Sequence, residues 1–375
     1  MNGPTISCRA PGKLYIAGEY AVVEPGHRAV LVAVDRFITI RVTAAEHSGS
    51  ITSALYAGRR LTWHRRPDDG AVEFHGRRDD YVVWAIRTVE QVVRERGGAL
   101  RFFDLEITSE LDDGDGRKLG LGSSSAVTVA TVRAVAKFYD LPLKDMDVYK
   151  LALLATDRVQ PIGSGGDIAA SAFTGWIAYT SPDRRWLHRS HGRVTTCALL
   201  AADWPHLSIH RLRPPGLRLR VGWTGAPAST PRLVAGVRSA ARGARDQAYA
   251  TFLRESRACL DHLIRAMETD DSQGIDAQIV RNRQLLLGLS RTSGIPIETP
   301  GLRRLVEIAR DFQAAAKSSG AGGGDCGIAL CPSGTDAPAM LAAWQAERIA
   351  PLDLAVHFHG ARAVPALPFT TGATS

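Results

Sequence analysis

A chain of 375 residues, 45% hydrophobic and 22% charged, has an ordinary globular balance and the length for two domains, each burying its own core. No apolar run approaches the roughly 18 residues needed to cross a bilayer. Residues 1–11 lack the apolar stretch of a secretory signal, so neither a membrane span nor export is expected. The formal net charge of +8 excludes little. The arginines lie singly or in pairs without interleaved aromatics, which argues against a nucleic-acid module and suits a basic cleft for a small anion equally well.

In chain order, residues 6–43 read as strands, most clearly at 29–42, where Val30, Val32, Val34, Ile38, Ile40 and Val42 recur with period two. Within them, Ala10-Pro11-Gly12-Lys13-Leu14-Tyr15-Ile16-Ala17-Gly18-Glu19-Tyr20 carries a lysine near its start and a glutamate near its end. The segment 46–76, rich in Arg, His and Trp, either folds over a nucleotide or forms a surface hairpin. A helix over 80–96 follows, with Val83, Ile86, Val89 and Val93 on one face, then a strand over 102–107. Next comes Lys118-Leu119-Gly120-Leu121-Gly122-Ser123-Ser124-Ser125-Ala126, running into a helix through Val127, Val129, Val132 and Val135.

A helix over 145–160 precedes Gly163-Ser164-Gly165-Gly166-Asp167, which opens another helical stretch and puts a carboxylate near a helix N-terminus. The polar, Arg- and His-rich interval 181–193 suggests the boundary between a first domain, 1–185, and a second, 186–375. Beyond it a strand is expected over 217–224 and helices over 230–242, 251–268, 276–288 and 301–315. The run Lys317-Ser318-Ser319-Gly320-Ala321-Gly322-Gly323-Gly324-Asp325 is then expected to join a helix to a strand at 327–330, with a last strand over 352–358. Hairpins mixed with helices indicate an α+β class and not a doubly wound sheet. Cys8, Cys197, Cys259, Cys326 and Cys331 are odd in number and lack C-x-x-C spacing, so reduced cytosolic thiols are expected and a structural zinc is not.

The glycines at 120 and 122 permit a tight turn, and three hydroxyls stand where a helix begins and its unpaired N–H groups favour anions. This is a phosphate-holding arrangement, but not a P-loop, because Gly12-Lys13 is followed by leucine and lacks the earlier glycine. Nor is it a dinucleotide turn, which needs glycine or alanine where Ser125 stands. The second glycine run, at 320–324, carries a large entropic cost on folding and implies a backbone that must approach something closely.

Together and in this order, the segments at 11–20, 120–126 and 319–324 resemble the three motifs of the GHMP small-molecule kinases, named for kinases of galactose, homoserine, mevalonate and phosphomevalonate. The resemblance implies an N-terminal domain with a ribosomal-protein-S5-like fold, a C-terminal ferredoxin-like domain and a site between them. Gly18-Glu19-Tyr20 stands where kinases of mevalonate and galactose usually carry Gly-Glu-His. With residues 163–171, 175–179 and 222–230, it resembles the bacterial branch that phosphorylates 5-phosphomevalonate to 5-diphosphomevalonate. Kinases of mevalonate or of another small molecule are the alternative; a nucleic-acid-binding protein with an S5-like domain is a distant one. Departures from the pattern are Lys317-Ser318-Ser319 for Lys-Pro-Ser, and the third serine at 125.

The resemblance implies catalytic roles for Lys13 and Asp167, the latter as base or as orienting group. It implies ATP held by Lys118, Gly120, Leu121, Gly122, Ser123, Ser124 and Ser125, with Ser124 as ligand of Mg²⁺. It further implies an acceptor met by Glu19, Tyr20, Ser164, Gly165, Gly166, Ser181, Ser319, Gly320, Ala321, Gly322 and Gly323. Arg184 and Arg185 either reach the acceptor phosphate or lie in an exposed turn, and Glu19 orients a ligand or pairs with a nearby cation. The expected partners are ATP and 5-phosphomevalonate, without nucleic acid or membrane, and the expected state is a cytoplasmic monomer or homodimer.

Overall fold

The computed structural model describes residues 5–53, 60–74, 80–113, 116–161, 163–225, 230–240 and 246–358. Residues 226–229, part of a segment used in the resemblance, and parts of 46–76 lie outside the described residues.

The first half of the chain forms strands β1 (Ile6–Ala17), β2 (Arg28–Ala45), β3 (Gly49–Ser53), β4 (Arg60–Arg65) and β5 (Val72–Glu73), helix α1 (Tyr81–Glu95) and strand β6 (Phe102–Ser109). Helices α2 (Ser123–Phe138), α3 (Asp145–Val159) and α4 (Gly166–Phe173) follow, then strand β7 (Trp176–Thr180), short helices α5 (Arg184–Ser190) and α6 (Thr196–Ala201), and strand β8 (Ser208–Leu212). The eight strands make one sheet in the order β5-β4-β3-β6-β2-β7-β8, with β1 paired to β2. All pairings are antiparallel except β3 with β6.

The period-two valines of β2 are buried, and so are Val82, Val83, Ile86 and Val89 on α1, which pack into the same core. That helix starts where expected because the Asp80 carboxylate accepts from the Val82 and Val83 N–H groups, at 3.0 and 3.1 Å. The register of β1 on β2 shifts between Pro11 and Gly12, a bulge where proline supplies no N–H, and this re-aims the strand just before Lys13.

The remainder comprises β9 (Arg218–Trp223), α7 (Thr230–Ala240), α8 (Asp246–Glu268), α9 (Ser272–Ser293), α10 (Pro300–Asp311), β10 (Ala315–Ser318), β11 (Cys326–Cys331), α11 (Ala337–Ala346) and β12 (Ala350–Leu352). Its four strands form an antiparallel sheet in the order β10-β11-β9-β12. The α+β class holds.

Four local expectations are corrected. The helix expected over 301–315 stops at Asp311, because Ala315–Ser318 is a buried strand. The glycine run therefore turns a β-hairpin, with Ser318 opposite Gly327, and does not follow a helix directly. Among the described residues the last strand is Ala350–Leu352, and 353–358 contribute only a single bridge, Val356 to Val34. Finally, β8 pairs with β7 all along its length, so the first sheet continues past residue 185 and the passage between sheets falls after Leu212.

Candidate active site

The two sheets meet around a cleft of about 440 Å³. Its floor is built from the three glycine-bearing segments, which are stitched to one another by hydrogen bonds. The Lys13 N–H donates to Leu121 O at 2.9 Å, joining the first segment to the second. Tyr15 N–H donates to Ser319 Oγ at 2.9 Å and Ser319 Oγ donates back to Tyr15 O at 3.0 Å, joining the first to the third. Cys326 Sγ lies 3.1 Å from Leu119 O, joining third to second. Burial pushes that thiol up to about 12, so it stays protonated and is no nucleophile.

Lys13 stands at the centre. Its Nζ lies 3.4 Å from Asp167 Oδ2, 3.5 Å from Gly120 O and 5.5 Å from the centroid of the Tyr15 ring. Lys13 and Tyr15 are two residues apart on one strand, so both side chains leave by the same face. A Cβ on Gly122, whose φ is +80°, would come within 2.7 Å of Lys13 Cε and 3.5 Å of Asp167 Oδ2. Glycine is required there by both its left-handed backbone and the ion pair lying on it.

Gly122 also caps α2 with no side-chain bond, so the serines of the first turn are not spent on capping. The N–H groups of Ser125 and Ala126 already bond to Gly122 O. Those of Ser123 and Ser124 have no acceptor among the described residues and stand at the positive end of the helix. This is a nest for a polyphosphate. Among the described residues no three His, Cys, Asp or Glu side chains cluster to hold a metal unaided.

On the opposite flank, Glu19 and Lys317 form a sealed ion pair, and Lys317 Nζ also donates to Ser318 O. Glu19 Oε1 takes the lysine, while Oε2 is buried with no partner among the described residues. Tyr20 donates its hydroxyl to Ala321 O at 2.6 Å, and burial followed by the Glu19 charge raises that phenol's pKa.

Arg184 begins α5 and reaches the cleft wall. Its Nη2 is held by Asp157 at 2.6 Å, and Asp157 also faces His188 at 2.7 Å. Arg184 Nε and Nη1 are buried and have no acceptor among the described residues. Unpaired donors on a buried cation are costly, which makes the wall beside Arg184 a place for an anion.

Of the residues singled out from sequence, Lys13, Glu19, Tyr20, Lys118, Gly120, Leu121, Gly122, Ser123, Ser124, Ser125, Ser164, Gly165, Asp167, Gly320 and Ala321 line this cleft. Five others lie behind its wall. Gly166 packs against the Tyr15 hydroxyl, Ser319 is bonded to the Tyr15 backbone, and Ser181 donates to Glu24 O at 3.3 Å. The N–H of Gly323 is taken by Ile297 O at 2.8 Å, and a Cβ on Gly322 would strike that same carbonyl. Arg184 lines the cleft, whereas Arg185 is exposed on α5. Sequence reading missed Tyr15, Tyr81, Thr156, Asp325 and the Lys317 partner of Glu19. For Tyr15 a signal existed in its two-residue spacing from Lys13; for Lys317 the partner is 298 residues away.

The fold and this site define a class, and comparison with known proteins gives the same answer. Residues 80–175 match the GHMP kinases N terminal domain and residues 264–350 the GHMP kinases C terminal domain. The chain belongs to the GHMP kinase family. It is 42% identical over 372 residues to the phosphomevalonate kinase of Streptomyces sp. (strain CL190), covering 95% of this chain and 98% of that one. Among solved structures, the Lin0012 protein of Listeria innocua superposes with a TM-score of 0.89 at 34% identity, over 94% of this chain and 98% of that one. Streptococcus pneumoniae phosphomevalonate kinase, in complex with phosphomevalonate and AMPPNP, superposes with a TM-score of 0.81 at 29% identity, over 94% of this chain and all of that one.

Proposed function

We propose that the chain transfers the γ-phosphoryl group of ATP to the 5-phosphate of phosphomevalonate, giving 5-diphosphomevalonate and ADP. The observation that carries this reading is the pairing, in one cleft, of a polyphosphate nest at Gly122–Ser124 with two cations, Lys13 and Arg184, whose donor capacity is not exhausted by the protein. The near-full-length likeness to a phosphomevalonate kinase supports it.

The chemistry suits the residues. A phosphomonoester loses its second proton near a pKa of about 6, so at pH 7 the nucleophile is already mostly charged and needs no strong base. The task is to bring two multiply charged anions together and stabilise the charge between them. Asp167 then serves by orienting Lys13 towards the transferring group, and Lys13 neutralises charge that develops there. Arg184, its fork fixed by Asp157, brings a positive charge to the cleft wall for the acceptor phosphate.

A magnesium ion fits this site. Ser124 brings a hydroxyl and Asp167 a partly exposed carboxylate to the same cleft, the sparse oxygen set that Mg²⁺ with phosphates requires. When bound it would neutralise phosphate charge. Five free thiols and no helix, among the described residues, long and apolar enough to cross a membrane support a cytoplasmic enzyme.

The test is ADP release by purified protein with ATP, Mg²⁺ and either mevalonate 5-phosphate or mevalonate. Turnover with the phosphate ester alone is expected. Turnover with mevalonate in its place would overturn the reading.

A further inference from the structure

The loop Gly163–Asp167 rests on a pad of three tyrosine hydroxyls, of which only that of Tyr15 belongs to a residue lining the cleft. Tyr149 on α3 and Tyr179 on β7 are fully buried, and Tyr15 on β1 nearly so. Tyr179 donates to Ser164 O at 2.6 Å, and the Tyr149 and Tyr179 hydroxyls are 2.8 Å apart. A carbonyl only accepts, so the single Tyr179 hydrogen is committed to Ser164, and Tyr149 must be the donor to Tyr179. On the other side, Ser164 Oγ accepts from Gly166 N–H at 3.2 Å and lies 3.0 Å from the Tyr15 hydroxyl.

The fit between loop and pad is tight. A Cβ on Gly165 would lie 2.9 Å from the Tyr179 hydroxyl and 3.1 Å from that of Tyr149, and one on Gly166 would lie 2.6 Å from that of Tyr15. Gly165 is also the N-cap of α4, whose second residue is Asp167, so the height of the pad sets the height of the Asp167 carboxylate. Burial raises the pKa of all three phenols, keeping them neutral donors across the working pH range.

We propose that Tyr179, backed by Tyr149, is a positioning residue that fixes the acceptor-side loop, holding Ser164 in the cleft wall and Asp167 against Lys13. The pad lies under Ser164 and Asp167, so its loss acts on the acceptor KM and, through Asp167 and Lys13, on kcat, and leaves in place the Gly120–Ser125 backbone that holds ATP. The proposal rests on the acceptor assignment made above, and its failure is distinguishable, because wild-type turnover with the phosphate ester is read first and separately.

The experiment measures KM for both substrates, kcat and Tm in Tyr179→Phe, Tyr149→Phe and the control Ile177→Val. Ile177 is a fully buried neighbour on the same strand with no hydroxyl. Tyr179→Phe strands the Ser164 carbonyl and is expected to raise the acceptor KM about tenfold, the scale of one unpaired buried hydrogen-bonding group, with KM for ATP unchanged. Tyr149→Phe leaves the bond to Ser164 intact and is expected to move the same constant in the same direction by less. If Tyr179→Phe does not fold, Tyr149→Phe alone carries the test. Ile177→Val is expected to lower Tm without separating the two KM values. Equal rises in both KM values, or an acceptor KM that moves no further than in the control, would overturn the proposal.

Discussion

Two lysine–carboxylate pairs flank one cleft and differ in their access to it and in how closely they are matched. Lys317 and Glu19 have side chains 0% and 2% exposed, and two of the lysine's three donors go to Glu19 and to Ser318 O. Lys13 and Asp167 have side chains 8% and 32% exposed, are 3.4 Å apart, and share a wall with an empty-handed helix N-terminus. A sealed pair recovers its desolvation cost only through its partner, so it fixes architecture, here the approach of β10 to the end of β1. A loosely matched pair facing a cleft keeps capacity for a third charge, which is what a cation for phosphoryl transfer needs.

Substitutions should separate these roles. Lys317→Met strands the Glu19 carboxylate in the interior, where breaking a buried pair costs about 3–5 kcal/mol. A large fall in Tm is therefore expected, with turnover measured well below the transition close to that of wild type. The double variant Glu19→Gln with Lys317→Met should recover much of the lost stability, since no uncompensated charge remains. A Tm unmoved by Lys317→Met would remove the distinction.

Lys13→Met is the reverse case. Its kcat is expected to fall about 10²- to 10³-fold, the scale of losing one preorganised donor to developing charge, while Tm shifts by less than about 4 °C. Arg184→Met comes next: about a 10- to 100-fold rise in the acceptor KM is expected with ATP affinity retained, from the loss of a charge-assisted contact. Equal effects on both substrates in steady-state kinetics would place Arg184 outside the acceptor site.

The smallest effect belongs to a carboxylate with no ion-pair partner shown among the described residues. Asp276 on α9 has a buried Oδ1 without a partner among the described residues, and burial raises its pKa from 3.8 to about 6. Because the folded-state value lies above the unfolded one, the protonated side chain is the form the fold favours. Stability from this group is therefore full below pH 3.8 and lost as pH rises through about 6. Asp276→Asn should raise Tm modestly at pH 7.5 and leave it unchanged at the acidic end of a thermal-melt series.

The same contrast explains what the sequence could and could not reveal. The segments around Gly120, Asp167 and Gly320 were legible because positive φ, helix N-termini and phosphate contact are local demands that leave a local glycine and serine signature. The helix start at Asp80 and the period of β2 were legible for the same reason. By contrast, the pairing of Glu19 with Lys317 and the pad of Tyr15, Tyr149 and Tyr179 exist only once distant strands are in register. Strand β10 was hidden by its composition: Ala315-Ala316-Lys317-Ser318 neither alternates nor favours a strand, and all four residues are buried by neighbours supplied from elsewhere. Strand β8 was masked in another way. It sits at the edge of the first sheet, where histidine and arginine are tolerated, so its five residues show no clean apolar alternation and no strand was read there.

The central claim is that phosphate, and not an alcohol, is the accepting group in the cleft between Lys13 and Arg184. It is tested most directly by phosphorus NMR of a completed reaction of the wild-type protein with ATP, Mg²⁺ and mevalonate 5-phosphate. The account predicts a product whose two phosphorus nuclei are coupled to one another, as in a diphosphate. A product with two uncoupled phosphate signals, one of them on a hydroxyl carbon, would contradict it.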